Sequence, residues 1–118
     1  MRKIAPVAAL AALFSGSAWA GPDWTLLEEG ATALGQARVW IEACEAEQLG
    51  RLDGLLDQVR LVLENAGLQE QEIFRFETIV ESSATLASGE GDQDCQNTEP
   101  RGRIGTAVQL VNQGIAIQ

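Results

Sequence analysis

The chain of 118 residues contains no His and no Tyr, and its single Lys is Lys3. Without His, a zinc site, a Ser–His catalytic pair and haem ligation all lose a usual ligand or base. Lys and Arg together number 8 against 17 Asp and Glu, for a formal net charge of -9. Nucleic-acid binding needs a basic surface, which this balance does not supply. We therefore expect no nucleic-acid partner and no bound metal or cofactor.

Long apolar runs are also scarce, and the one that stands out lies in residues 1–20. This segment begins with two cations, continues as the apolar stretch Ile4–Phe14 and ends with small residues at Ala18 and Ala20. The stretch is shorter than the roughly 20 apolar residues that a spanning helix needs. Its pattern predicts a signal peptide cleaved between Ala20 and Gly21. We expect a bacterial protein that is periplasmic or secreted and is not inserted in the membrane after cleavage.

Cleavage would leave residues 21–118 as a single helical domain. The signal takes two cations with it, so six Arg and 17 acidic residues remain, for a formal charge of -11. A domain of this size buries a modest fraction of its surface and benefits from a covalent link. Cys44 and Cys95 would meet in an oxidising compartment, which predicts a disulfide. A disulfide that closes a loop of about 50 residues stabilises the folded state by about 4 kcal/mol. A free thiol pair or a metal site is the alternative, and a metal would need further ligands.

Apolar residues recur with helical spacing in four segments, and no stretch shows sustained alternation. The sequence therefore predicts an all-α fold, a small four-helix bundle with one disulfide. The predicted segments are residues 23–49, 51–66, 69–88 and 99–115, with a polar connection at 89–97. Gly30 and Gly35 each weaken the first helix by about 1 kcal/mol relative to Ala, which leaves a break near Gly30 open.

Three local signals mark the predicted helix ends. Asp23 can cap the first helix, because its carboxylate accepts the free N–H groups of the first turn. Gly67 stands where a left-handed residue would end the second helix. Thr98 can cap the last helix, with Pro100 in its first turn.

The catalytic repertoire is narrow, because residues 21–118 contain no His, Tyr or Lys. General acid–base chemistry would fall to Asp and Glu alone, which suits a two-carboxylate glycan hydrolase. Helical pairs of this kind are Glu42 with Glu45 and Glu77 with Glu81. Carboxylates at this spacing are usually ordinary solvated side chains, so we predict that the protein is not an enzyme.

Several apolar side chains miss the core stripes. Phe74, Leu61 and Val39 point away from the stripes of their helices, and Trp40 lies near a stripe edge. Single exposed apolar residues are common, so these side chains can be incidental. The alternative is an apolar patch, rimmed by acids, that binds a protein partner or a second copy. The negative charge favours a basic partner.

In general plan the chain resembles small exported bacterial helical proteins with one disulfide, such as acid-activated periplasmic chaperones and immunity proteins against secreted toxins. The resemblance covers architecture and cysteine separation, and it assigns no residue a role. Our leading hypothesis is an exported, non-enzymatic protein-binding module of the inhibitor or immunity type. An acid-stress chaperone is the alternative, since loss of carboxylate charge would loosen the bundle.

Overall fold

Four α-helices make up most of residues 21–116, the part of the chain that the computed structural model describes. They are α1 (Trp24–Cys44), α2 (Leu49–Asn65), α3 (Glu70–Gly89) and α4 (Glu99–Ile115), with a short 3-10 helix at Ala46–Gln48. This part of the chain contains no strand. The predicted all-α fold and four-helix bundle are confirmed. The predicted signal peptide lies outside the described residues.

Helix α1 is continuous through Gly30, so the break left open by the sequence does not occur. It begins as predicted, because the Asp23 carboxylate accepts a hydrogen bond from the Thr25 backbone N–H at 3.0 Å. It ends at Cys44, earlier than the predicted end at Leu49. The backbone of Glu45 leaves the helical region (φ -143°, ψ 53°), and the chain turns there towards α2.

The two glycines of α1 allow the neighbouring helices to approach closely. A Cβ atom on Gly35 would lie 2.4 Å from the Val80 carbonyl oxygen of α3, and one on Gly30 would lie 3.1 Å from the Ala107 carbonyl oxygen of α4. Because glycine has no side chain, the backbone of α1 contacts the backbone of α3 at Gly35 and that of α4 at Gly30. The low helix propensity of these glycines is outweighed by packing.

Helix α1 is the middle of a three-helix layer, α3–α1–α4. Glu28 contacts Arg75 and Gly35 faces residues 80–84, so α1 and α3 run parallel. The Asp23 N–H donates to the Gly114 carbonyl at 2.8 Å, so α4 runs antiparallel to α1. Helices α3 and α4 do not contact each other. Both outer helices therefore depend on α1 for their position.

Helix α2 covers one side of this layer and crosses it obliquely. Near its start, Leu52 lies beside Ile104 of α4. Near its end, Val59 and Leu63 pack with Ile73 of α3. Its backbone makes few close approaches to the other helices. Side chains therefore hold α2 in place, whereas backbone contact joins the layer.

The core fills the space between α2 and the layer, and it follows the predicted stripes. Its buried side chains include Leu27, Leu34, Val59, Leu63, Ile73, Phe76, Val80 and Val111. A smaller cluster of Trp40, Ile41 and Leu52 continues it towards the start of α2. Burial of a side chain of this size contributes about 1.5–3 kcal/mol, so these positions carry most of the stability.

The predicted disulfide is confirmed: Cys44 at the end of α1 is bonded to Cys95 in the connection before α4. The same connection is held a second time, because the Trp40 indole N–H donates to the Asp94 carbonyl at 3.0 Å. The disulfide and this hydrogen bond together fix an otherwise exposed, polar connection against the end of α1.

The remaining helix ends combine confirmed and unforeseen features. Gly67 has φ +94° after α2, as predicted for a left-handed stop. Helix α3 begins with a capping box that was not predicted from the sequence. The Gln69 side chain accepts from the Glu72 backbone N–H, and the Glu72 side chain accepts from the Gln69 backbone N–H. Helix α4 begins at Glu99 with Pro100 in its first turn, as predicted, but the prediction that the Thr98 side chain caps it was wrong. The Thr98 side chain makes no cap bond, and Asn97 instead accepts from the Glu99 N–H at 3.2 Å.

Candidate functional site

Four large apolar side chains of the described residues are exposed. Phe74 is 68% exposed and Leu86 is 71% exposed, both on α3. Leu61 at 57% and Val62 at 36% lie on α2. Two of the four thus stand on one helix, and they are the two most exposed.

The outer side of α3 forms a shallow groove between Phe74 and Leu86. Positions 74, 78, 82 and 86 are spaced by four, so each lies next to the following one on the helix surface, and the row turns about 120° around the helix from Phe74 to Leu86. The groove is lined by Phe74, Glu77, Thr78, Glu81, Ser82, Thr85 and Leu86. Its two apolar ends are about 18 Å apart along the helix at 1.5 Å per residue. The groove therefore has an apolar anchor at each end and polar side chains between them.

A second groove runs between α3 and α1, where oblique α2 leaves the layer uncovered. It is lined by Arg38, Val39, Glu42, Val80, Glu81, Ala84, Thr85 and Ser88. Because Glu81 and Thr85 line both grooves, the two form one continuous surface. We call this surface, made of the residues that line the two grooves, the α3 face.

The structure brings together part of the sequence-predicted partner surface. Phe74 and the half-buried Val39 lie on the α3 face. Leu61 projects from α2 and lines neither groove. Trp40 is only 2% exposed and belongs to the core, so it offers no surface to a partner. Its aromatic ring packs with Ile41 and Leu52, which outweighs its position near a stripe edge.

Leu86 was missed by sequence reasoning. A signal for it exists, because Leu86 lies twelve residues after Phe74 and away from the buried stripe that Ile73, Phe76 and Val80 define. A search for pairs of off-stripe apolar residues on one helix would have found it. Single positions considered one at a time gave no reason to select it.

Positive charge in the described chain is used almost entirely to connect elements. Arg38 of α1 pairs with Asp53 of α2 at 3.5 Å, and Arg101 of α4 pairs with Glu45 at 3.3 Å. Arg75 contacts Glu28 at 2.7 Å and stacks 4.0 Å from the centre of the Trp24 ring. Arg103 donates to the Gln36 side chain of α1 at 3.0 Å.

Arg60 is the most heavily paired of these cations. It contacts Glu70 and Glu77 of α3 at 2.8 Å each, and Glu64 of its own helix at 3.3 Å. The hydrogen bonds that Arg60 donates to Glu77 and Glu70 raise the pKa of Arg60 further above its ordinary value. Arg60 thus stays charged at any working pH and connects α2 to α3.

The α3 face keeps negative charge that no cation of residues 21–116 neutralises. Glu42 and Glu81 both line it, and neither forms an ion pair within this part of the chain. Glu77 is paired with Arg60, and Arg38 is paired with Asp53. The unpaired charge on the surface is therefore that of two carboxylates, close to exposed apolar side chains.

In each of the two carboxylate pairs considered for catalysis, one carboxylate forms an ion pair with an Arg and the other does not. In the first, Glu45 is engaged by Arg101 while Glu42 is exposed. In the second, Glu77 is engaged by Arg60 while Glu81 is exposed. One member of each pair therefore helps to hold helices together. Residues 21–116 contain no group of three or more acidic or Cys side chains arranged to hold a metal ion.

A cleft of about 220 Å³ lies between α2 and α3. Its walls are side chains that already form the core, among them Val59, Leu63 and Phe76. The Arg60–Glu77 ion pair stands at its edge. The cleft is the space left where α2 is held by side chains alone.

No protein family, curated protein or solved structure matches this chain. None of the helices within residues 21–116 has the length and apolarity to cross a membrane.

Proposed function

We propose that the protein is an exported, non-enzymatic module that binds another protein through the α3 face. The observation that carries the proposal is the pair Phe74 and Leu86, 68% and 71% exposed at the two ends of one groove on α3. Exposed apolar side chains rimmed by polar ones are typical of protein-binding surfaces. Large side chains such as Phe supply much of the binding energy when a partner buries them.

Two further features support a binding role over a catalytic one. Residues 21–118 contain no His, Tyr or Lys, which leaves few groups for acid–base or nucleophilic chemistry. The helices, in contrast, form a rigid platform: backbone contact through Gly35 sets α3 against α1. A binding surface on a helix fixed in this way loses little entropy when a partner docks.

Export is part of the proposal. The pattern of residues 1–20 supports a cleaved signal peptide. The Cys44–Cys95 disulfide supports a periplasmic or extracellular location, because disulfides persist in oxidising compartments. Within this setting an inhibitor or immunity-type role is the form of binding module we favour, since a small rigid domain can occlude a larger partner.

The proposal is tested by affinity capture with three forms of the oxidised mature protein. The wild type is compared with the double variant Phe74→Ala, Leu86→Ala, using an envelope extract of the host. Leu61→Ala is the matched control, because it removes an exposed Leu from α2 instead of α3. We expect one stoichiometric partner with the wild type and the control, and its loss with the double variant.

Two results would contradict the proposal. Equal retention of the partner by the double variant would place binding elsewhere on the molecule. Absence of a stoichiometric partner for the wild type would remove the binding role. Unfolding curves of all three forms must coincide, so that loss of binding cannot be attributed to loss of fold.

A second candidate function, an acid-stress chaperone, is favoured by the ion pairs between elements. Asp53, Glu70, Glu77 and Glu28 each connect two helices through an Arg. Acid that protonates carboxylates would remove these connections, and α2 has the fewest backbone contacts to retain it. Core apolar surface would then be exposed while the disulfide keeps the chain partly assembled.

This candidate is tested by near-UV circular dichroism and an aggregation assay at about pH 3. A reversible loss of tertiary signal, together with suppressed aggregation of a denatured client protein, would support it. A native spectrum retained at about pH 2 would exclude it.

A further inference from the structure

We propose that the partner segment that occupies the α3 face is a basic amphipathic helix, an inference that rests on the proposed function above. The segment would place apolar side chains on Phe74 and Leu86 and cationic side chains beside Glu81 and Glu42. Three properties of the surface favour this occupant: its shape, its charge and the distance between its anchors.

The shape of the α3 face suits a helix. The groove between α1 and α3 lies between two parallel helices and continues onto the outer side of α3 through Glu81 and Thr85. Amphipathic helices dock into surface grooves through side chains at positions i, i+3, i+4 and i+7. The groove between α1 and α3 has a mixed polar and apolar lining, so the apolar contacts of a docked helix would be made mainly at Phe74 and Leu86. Addition of a strand needs an exposed sheet edge, and residues 21–116 contain no sheet.

The length of the surface fixes the length of the segment. From Phe74 to Ser88 it extends about 21 Å at a rise of 1.5 Å per residue. A docked helix of about four turns covers this length, and its apolar side chains would reach both anchors.

The charge of the surface selects a basic occupant. Glu42 and Glu81 are the unpaired charges on the face, whereas Arg38 and Glu77 are already engaged by Asp53 and Arg60. A cation docked beside Glu42 or Glu81 would gain an ion pair in a partly desolvated place. The charge of -11 on residues 21–118 would also speed the approach of a basic partner.

The same charge argues against a second copy of this chain as the occupant. Two α3 faces brought together would juxtapose the unpaired Glu42 and Glu81 of one copy with the same carboxylates of the other. Like charges facing each other across an interface are destabilising. Two mature chains that each carry a charge of -11 would also repel before contact.

The test uses three synthetic helical peptides of about 16 residues. The first has an apolar stripe flanked by Arg. The second keeps the stripe and replaces each flanking Arg with Glu. The third keeps Arg and replaces the apolar residues with Ser. Binding of each fluorescent peptide to the oxidised mature protein is followed by anisotropy, and the contacted residues are mapped by amide chemical shifts.

We expect saturable binding of the first peptide, with shifts confined to residues of the α3 face. The Glu-flanked and Ser-striped peptides should bind at least tenfold more weakly. The protein variant Glu42→Gln, Glu81→Gln should weaken the first peptide about tenfold, since each exposed ion pair contributes modestly. The control Glu47→Gln, Asp57→Asn removes the same charge elsewhere and should change binding less than about twofold.

Four results would overturn the inference: no binding of the first peptide, equal binding of the Glu-flanked or Ser-striped peptide, an equal effect of both double variants, or a dimer of the protein by sedimentation equilibrium. The proposed function fails separately. If captured partner protein still requires Phe74 and Leu86 while the basic peptide does not bind, the α3 face is a binding surface for an occupant of other chemistry.

Discussion

Phe74 and Phe76 are two residues apart on the same helix and face opposite environments. Phe76 is 2% exposed and packs in the core, whereas Phe74 is 68% exposed on the α3 face. A helix turns by about 100° per residue, so two steps carry a side chain to roughly the opposite side. The same type of side chain thus stabilises the fold at position 76 and is available to contact a partner at position 74.

The glycines offer the same comparison. Gly35 lies against the backbone of α3, where any Cβ atom would collide with the Val80 carbonyl. Gly54 of α2 has no heavy atom within 4 Å of the place a Cβ would take. At a position that faces inward, the neighbouring atoms decide which residue type fits. At a position that faces outward, only helix propensity restricts the residue type. Four substitutions test this contrast.

Phe76→Ala should lower the free energy of unfolding by about 4 kcal/mol, because it removes a buried ring and leaves a cavity. The measurement is urea denaturation of the oxidised mature protein. A loss below about 1 kcal/mol would mean that the inner side of α3 does not carry the core.

Gly35→Ala should cost about 3 kcal/mol by overpacking, since the nearest obstacles are backbone atoms of α3 and cannot rotate away. The virtual Cβ lies 2.4 Å from the Val80 oxygen and 2.9 Å from the Ala84 nitrogen. Thermal and urea unfolding measure the effect. An unchanged midpoint would contradict the close approach of α1 and α3.

Gly54→Ala should have the opposite sign and stabilise the protein by about 1 kcal/mol, since Ala is the better helix former and nothing obstructs it. The same unfolding assay applies. If Gly54→Ala destabilised the protein, the outward side of α2 would have an unrecognised structural contact.

Phe74→Ala should change the free energy of unfolding by no more than about 0.5 kcal/mol, because the exposed ring has little to lose. It should still weaken partner binding. A stability loss similar to that of Phe76→Ala would show that the ring serves the fold.

The sequence predicted what depends on periodicity and failed where distant elements decide. The stripe of α3, with Ile73, Phe76 and Val80, follows from spacing alone. Gly30 and Gly35 were interpreted by helix propensity, but their role depends on α4 and α3, which a single segment cannot reveal.

Surface residues show the same limit. Off-stripe spacing correctly placed Phe74 outside the core, but it could not tell that Val39 adjoins the same surface while Leu61 does not. That distinction depends on the oblique path of α2. Trp40 lay near a stripe edge, and its burial follows from contacts with α2 and with Asp94.

The most direct test of the account is photo-crosslinking from the middle of the α3 face. Thr78→p-benzoylphenylalanine places a reactive group between Phe74 and Leu86, and Gln58→p-benzoylphenylalanine places the same group on the outer side of α2. Both positions are exposed. On irradiation in an envelope extract, the account predicts one adduct of defined mass from position 78 and none from position 58. Equal adducts from both positions, or an adduct from position 58 alone, would contradict the claim that α3 carries the binding surface.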